Sequence, residues 1–294
     1  MDAETILTVR RFNRTVTERI GALHEEYLAW PRPLGASRLL WEIADAGTDT
    51  RGLRTRLELD SGYLSRLLRR LEAEGLVTVE PAHDDLRVRV VRLTRAGRSE
   101  RARLDRRSDQ LAASLLEPLD DDRRSALVAA MATVDRLLTA AAVRVAVEDP
   151  TTADAARCIR SYFAELDQRF EAGFDPQRSL SADATELVEP DGLLLLARLR
   201  GEAIGCGALK FHGGDPAEIK RMWVSASARG LGVGRRLLRE LETHAIERGV
   251  GSVRLETNRA LTEAIQLYRS AGYDEVPRFN AEPYAHHWFE KLLG

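Results

Sequence analysis

Lysine is nearly missing from this 294-residue chain. Lys210, Lys220 and Lys291 are the only three among 44 basic residues, and the rest are arginine. Cysteine is almost as scarce. Cys158 and Cys206 stand in unrelated contexts, which excludes a disulfide framework and a cysteine-based metal signature; no metal is expected. Apolar runs such as 193–197 are far too short to cross a bilayer, so no membrane partner is expected. The opening Met1-Asp2-Ala3-Glu4 lacks the basic and apolar regions of a signal peptide, and the chain is expected in the cytoplasm. Internal repeats, low-complexity tracts and Gly/Ser- or Pro-rich linkers are also missing. Hydrophobic residues make up 44% and charged residues 31%, values that exclude disorder and leave enough apolar side chain for a full core. The length predicts two domains.

The net charge of −2 hides an uneven distribution. Residues 51–107 hold 15 arginines against 9 acids, a local excess suited to phosphate and guanine contacts, although arginine also dominates the whole composition. Helical periodicity runs over 4–29, with Ile6, Val9, Phe12, Val16 and Ile20 on one stripe, and continues over 37–46 and 49–57. A fourth helix, capped by Asp60 or Ser61, extends to Glu74 and stops at Gly75. Leu64, Leu67, Leu68 and Leu71 line its inner face. Gly62, Ser65, Arg66 and Arg69 share the opposite face, beside Tyr63 and Arg70. Alone, that face reads equally as a solvated basic surface. Segments 76–79 and 88–93 follow as a β-hairpin with Arg87 and Arg89 near its tip, where Asp85 is placed to orient Arg87 through a charge-assisted bond. Helices resume over 95–116 and 122–142.

Helix, helix and β-wing in this order make a winged helix–turn–helix. The run Ser61-Gly62-Tyr63-Leu64-Ser65-Arg66-Leu67-Leu68-Arg69-Arg70-Leu71-Glu72-Ala73-Glu74-Gly75-Leu76-Val77, with Asp85-Leu86-Arg87 and Leu93-Thr94-Arg95-Ala96-Gly97, resembles the MarR family of bacterial regulators. The resemblance implies a homodimer built by the terminal helices and a pseudo-palindromic double-stranded DNA operator. Ser61, Gly62, Tyr63, Ser65, Arg66, Arg69, Arg70, Asp85, Arg87 and Arg89 would then face DNA, with Arg87 in the minor groove. The rival class for this half is a dimerisation module that binds no DNA.

The second half alternates strands and helices. Strands are predicted over 143–147, 193–199, 203–211, 218–224, 252–257 and 286–292, and helices over 152–170, 234–248 and 261–271. The loop Arg229-Gly230-Leu231-Gly232-Val233-Gly234-Arg235 follows a strand and opens a helix, where backbone N–H groups form an anion cradle. It is not a Walker loop, lacking the Gly-Lys-Ser/Thr ending, and it does not continue as a Rossmann unit. With Glu218-Ile219-Lys220-Arg221-Met222-Trp223-Val224 before it and 256–273 after it, the loop resembles that of the GNAT superfamily of acetyl-CoA-dependent N-acetyltransferases. The resemblance implies that Arg229–Arg235 hold the pyrophosphate of acetyl-CoA and that the Met222, Trp223 and Val224 backbone pairs with its pantetheine arm. Leu261 stands where many members carry Asn; Asn258 is the candidate substitute.

An amine attacking a thioester must first lose a proton, and a lysine-like amine holds it up to a pKa near 10.4. Glu218 is the candidate general base, and Tyr268, at the superfamily's usual donor position, the acid for the leaving thiolate. The plainer readings are a Glu218 carboxylate paired with Lys220 or Arg221, and a Tyr268 ring packed under its helix. Trp223 lines either an amine site or the core. Cys206 reads as buried packing, adjacent His286 and His287 point to opposite strand faces, and the loop 173–192 is long enough to shape a substrate mouth.

The expected architecture is therefore an α+β two-domain chain. A mostly helical winged helix–turn–helix over 1–142 precedes an α/β acetyltransferase-type domain with a mixed sheet over 143–294. Two functions compete. One is a transcriptional regulator that also acetylates a primary amine by direct attack. The other is a regulator whose second domain only senses acetyl-CoA or an amine.

Overall fold

The computed structural model describes residues 2–21, 33–82, 85–180, 183–214 and 216–294. The chain divides into two compact units, Met1–Met131 and Ala132–Gly294.

The first unit opens with α1 (Ala3–Arg19), started by the Asp2 carboxylate accepting the Thr5 N–H at 2.7 Å. The expected continuation over 22–29 lies outside the described residues. Helix α2 (Leu34–Glu42) begins a turn earlier than periodicity suggests, because Pro33 supplies an extended N-cap. A short strand β1 (Thr48–Asp49) leads into α3 (Thr50–Leu57), and Asp49 caps that helix through the Gly52 N–H at 2.7 Å. Of the two candidate caps for α4 (Ser61–Ala73), Asp60 is used: it accepts the Tyr63 N–H at 2.8 Å. Leu64, Leu67, Leu68 and Leu71 are buried, as their spacing requires.

Strands β2 (Val77–Pro81) and β3 (Arg89–Leu93) form the antiparallel hairpin. The other edge of β3 takes β1, a pairing that two polar residues do not announce. Helix α5 (Arg95–Leu116) starts tight against the sheet. A Cβ at Gly97 would run into the Leu76 carbonyl oxygen, so that position needs glycine. Leu39, Leu40, Ile43, Leu53, Leu71, Val91 and Leu104 form this unit's dry centre. The unit boundary falls inside α6 (Asp121–Ala141).

The second unit contains β4 (Arg144–Val147), α7 (Ala153–Arg169), β5 (Gly192–Leu199), β6 (Glu202–Lys210) and β7 (Ala217–Val224). Next come α8 (Val233–Glu247), β8 (Ser252–Thr257), α9 (Thr262–Ser270), β9 (Asp274–Glu275) and β10 (His287–Leu292). One sheet runs β4-β5-β6-β7-β8-β10-β9, antiparallel except for β7 and β8. Alternation sorts β5 onto two cores. Leu193, Leu195 and Ala197 pack with Leu237, Leu238 and Leu241 of α8, while Leu194 and Leu196 pack with Ala155 and Cys158 of α7. Burial on both faces explains the unbroken apolar run. Cys206 lies in the second of these cores, as packing.

Two irregularities shape the site. Pairing of β6 with β7 shifts register between Cys206 and Ala208, and Arg221 on the opposing strand takes a left-handed φ of 57°. Parallel pairing of β7 with β8 covers Ala217/Val253 and Glu218/Arg254 and stops there. The rest of β7, carrying Met222–Val224, is released from that neighbour.

Candidate functional site

In the first unit the exposed face of α4 is the predicted one. Ser61, Gly62, Tyr63, Ser65, Arg66, Arg69 and Arg70 are all exposed over the buried leucines. Three of the arginines have local partners. Arg66 lies over the Tyr63 ring at 5.8 Å, Arg69 Nε donates to the Ser65 carbonyl at 3.3 Å, and Arg70 pairs with Glu74 at 3.1 Å. Asp85, Arg87 and Arg89 are exposed on the wing, while His83 and Asp84 of its tip lie outside the described residues. Asp85 does not orient the Arg87 guanidinium. Its carboxylate accepts the Arg87 backbone N–H at 2.9 Å, because an Asp two residues ahead closes the turn locally. Arg89 folds back to the Val79 carbonyl at 3.2 Å.

Between α3, α4 and the wing lies a groove of about 760 Å³ lined by Arg51, Arg54, Arg69, Arg87 and Arg89. Arg51 and Arg54 of α3 also belong to this surface, and the arginine excess over 51–107 is the signal in the sequence that includes them.

In the second unit the glycine loop opens α8. Gly230 and Gly232 have φ of 81° and 73°, and a Cβ on either would project into open space. Gly232 is the N-cap and offers no capping side chain, so the first N–H groups of α8 face outward without an intrahelical partner. Beside them is a cleft of about 510 Å³ whose walls include Met222, Trp223, Val224, Arg229, Val233 and Gly234. An extended molecule with an anionic end fits this set: bare N–H donors, a released strand edge, and an apolar wall. Leu231 instead turns its side chain into the core.

Two arginines of the loop are already engaged. Arg229 Nη2 contacts both Glu165 oxygens, at 2.5 and 2.6 Å, and Trp223 Nε1 donates to the same carboxylate at 2.9 Å. Arg235 holds Ser270, by its carbonyl at 3.2 Å and its hydroxyl at 2.6 Å.

A second, smaller cavity of about 90 Å³ adjoins the cleft, sharing Tyr162, Leu166, Met222, Leu261, Ala264 and Tyr268 with it. Tyr268 is 5% exposed. Burial, reinforced by the charges of Tyr162 and Glu256, pushes its phenol well above the usual range and keeps it protonated. Phe170, Phe174 and Tyr284 make an aromatic wall, with the last two rings 4.9 Å apart. Glu282, 6% exposed, also lines this cavity and is held by Ser179 Oγ at 3.0 Å and the N–H groups of Leu180 and Tyr284 at 2.6 and 3.2 Å. Nothing in its loop sequence announces that carboxylate.

Glu218, the sequence candidate for the base, lies outside the lining of both cavities. Its Oε1 accepts Arg254 Nε and Nη2 at 3.0 and 2.6 Å, while Oε2 faces Lys220 at 3.2 Å and His212 at 3.4 Å. Burial alone would raise its pKa, but the Lys220 charge and the Arg254 bonds outweigh that and hold the carboxyl below the usual range. The plainer reading of Glu218, as a partner of Lys220, matches this geometry. On β8 it is Glu256 that lines the smaller cavity, with Lys220 Nζ 2.5 Å from Oε1 and Asn280 Nδ2 3.3 Å from Oε2. The sequence pattern does not single it out, because β8 also carries Ser252, Arg254 and Thr257. Asn258 lines the smaller cavity rather than the glycine cleft. Both ends of its amide are occupied, by the Tyr284 carbonyl at 2.7 Å and the Ala260 N–H at 2.9 Å. Trp223 packs against the α7 core and, through its bond to Glu165, borders the glycine cleft; it is not in the lining of the smaller cavity.

Residues 159–273 match the model of the acetyltransferase (GNAT) family, and residues 31–87 that of the MarR family. The chain is 36% identical over 110 residues to an IAA acetyltransferase of Azospirillum brasilense, covering 37% of this chain and 72% of that protein. It is also 36% identical over 142 residues to the N-alpha-acetyltransferase RimI of Mycobacterium tuberculosis, covering 47% of this chain and 84% of that protein. Among solved structures, a putative acyl-CoA N-acyltransferase of Klebsiella pneumoniae is similar at 28% identity and a TM-score of 0.41, over 52% of this chain and 98% of that one.

Proposed function

The chain belongs to the acetyltransferase (GNAT) family through its second unit and carries a MarR-family unit ahead of it, and from this premise we propose a DNA-binding regulator that acetylates a small primary amine. The observation that carries the enzymatic half is the common wall of the two cavities: Tyr268 borders both, and Glu256 stands on the smaller one.

Acetyl-CoA supplies the thioester from which the acetyl group is transferred. The N–H groups at Gly230–Arg235 and the open edge of Met222–Val224 hold it in the larger cleft. Glu282 and the Phe170, Phe174 and Tyr284 rings draw a cationic amine into the smaller cavity, through charge and through the negative ring faces. Glu256 takes the ammonium proton and leaves a nucleophilic amine. The protonated Tyr268 phenol gives its hydrogen to the departing sulfur and regains one from the nitrogen that has become the amide, so the second amine proton ends on the thiol. A small cavity walled by aromatic rings favours an amine with a compact apolar body over a long peptide. The two relatives are named for different acceptors, so the acceptor class rests on the cavity.

In the first unit, α4 enters a major groove. Arg66 and Arg69 face the bases and phosphates, and Arg51, Arg54 and the wing arginines follow the backbone. Ile6, Val9 and Phe12 of α1 and Val128 and Met131 of α6 are all more than 40% exposed, which suits burial against a second copy. The test is calorimetric titration of acetyl-CoA into the full chain, then thiol release with phenethylamine, tryptamine, putrescine and an alanine-starting hexapeptide. Saturable binding with turnover of an arylalkyl amine is expected. Binding without turnover of any amine leaves the non-catalytic sensor instead.

A further inference from the structure

The proton that Glu256 takes from the acceptor has to be returned to bulk water before the next turnover. The ion pairs behind Glu256 form a continuous line away from it. Glu256 Oε1 meets Lys220 Nζ at 2.5 Å, the same Nζ lies 3.2 Å from Glu218 Oε2, and that oxygen lies 3.4 Å from His212 Nε2. The Lys220 and Glu218 side chains are 6% and 9% exposed, whereas His212 is 38% exposed. The line therefore starts at the acceptor cavity, crosses β8 and β7 inside the protein, and ends on an imidazole in contact with water.

We propose that Glu256, Lys220, Glu218 and His212 form a proton exit that carries the amine proton from the acceptor cavity to solvent. This rests on the acetyltransferase reading above. The balance is simple. Glu256 takes one proton from the acceptor ammonium. Lys220, as an ammonium, passes one of its protons to Glu218 Oε2 and receives the Glu256 proton in its place. Glu218 hands its proton to His212 Nε2, the ring releases the proton on its other nitrogen to water, and exchange with water moves the remaining ring proton back to Nδ1 so that Nε2 can accept again. Every group then regains its starting charge, and one proton is released per acetyl group transferred.

The surroundings suit this use. Arg254 holds Glu218 Oε1 through two bonds and so leaves Oε2 turned towards Lys220 and His212. That grip holds Glu218 below the usual carboxylate range, so it rests ionised and carries a proton only in passing. Lys220 is clamped between two carboxylates and has only a short transfer to make in either direction. On the outer side His212 faces Glu218 of β7. Glu186 is the other carboxylate near His212, and it is occupied by Lys210 at 2.5 Å. His212 touches neither cavity lining, so it is a positioning and relay residue rather than one that contacts substrate.

The experiment uses the full chain with acetyl-CoA and whichever of the four amines above turns over. In His212→Gln, a polar side chain of similar reach still faces Glu218 but carries no proton. In His212→Ala, the site is open to added imidazole. Both variants should keep the wild-type KM for acetyl-CoA and amine while kcat falls about tenfold to a hundredfold. Free imidazole should restore the Ala variant in proportion to its concentration, and the acid limb of the wild-type kcat profile should move in the Gln variant. A kcat unchanged in both variants overturns the relay while leaving the acetyltransferase intact. A loss in the Ala variant that imidazole does not restore, with the Gln variant at wild-type rate, makes His212 structural and also overturns it. A wild-type chain that turns over no amine removes the relay together with the reaction it serves.

Discussion

Glu218 and Glu256 show how neighbours decide which of two carboxylates is useful. Both are paired with Lys220, yet Glu218 is also clamped by Arg254 and turned from the cavities, whereas Glu256 lines one of them. Glu256→Gln is expected to lower kcat about a hundredfold or more, the usual weight of a general base, with acetyl-CoA affinity unchanged. Tyr268→Phe should lose kcat alike. Glu218 has a separate thermodynamic signature. Its folded pKa is depressed, so its contribution to stability is present above the ordinary glutamate range, about 4.3, and is lost as pH falls through the folded value. Thermal melts of Glu218→Gln should show a shallower fall in stability than wild type over that acid range. An identical fall in both proteins would remove this assignment. Asp60 gives a simpler case. Asp60→Ala removes the cap of α4 and should destabilise the first unit by about 1 kcal/mol, read from denaturant unfolding.

At the scale of elements, the glycine loop and α8 were legible because a strand, three glycines and a helical period occur in sequence. Glycine at 230 and 232 meets a positive φ as well as the open space over the cradle. Gly232→Glu combines a left-handed strain of about 1–2 kcal/mol with a carboxylate where an anion is to bind, so calorimetry should lose acetyl-CoA binding while the fold survives. The winged unit was legible in the same way, since leucine spacing fixes the buried face of α4 and hence its exposed one. Arg66→Ala or Arg87→Ala should weaken operator binding by about 1–3 kcal/mol if the arginine reads a base. Equal weakening on every duplex, with a shallower salt slope, would assign it to phosphate. The pairing of β1 and the tight contact of Gly97 depend on partners distant in sequence, which no local period encodes. The smaller cavity was illegible for the same reason. Tyr162, Glu256 and Glu282 come from a helix, a strand and a loop more than 100 residues apart at the extremes, and only the sheet assembles them.

For the whole molecule, a GNAT-family unit and a MarR-family unit share one chain, and the division between them falls within a single helix. Phe12→Asp with Val16→Asp, on the exposed stripe of α1, is expected to convert a dimer into a monomer by light scattering and to reduce operator affinity. The most direct test of the central claim is CoA-thiol release by the full chain, compared with Glu256→Gln and Tyr268→Phe under saturating acetyl-CoA and an arylalkyl amine. The account predicts acetyl-CoA binding in all three proteins and turnover about a hundredfold slower in each variant. Wild-type turnover in Glu256→Gln would contradict the assigned base, and binding with no turnover in the unaltered chain would contradict the claim of catalysis itself.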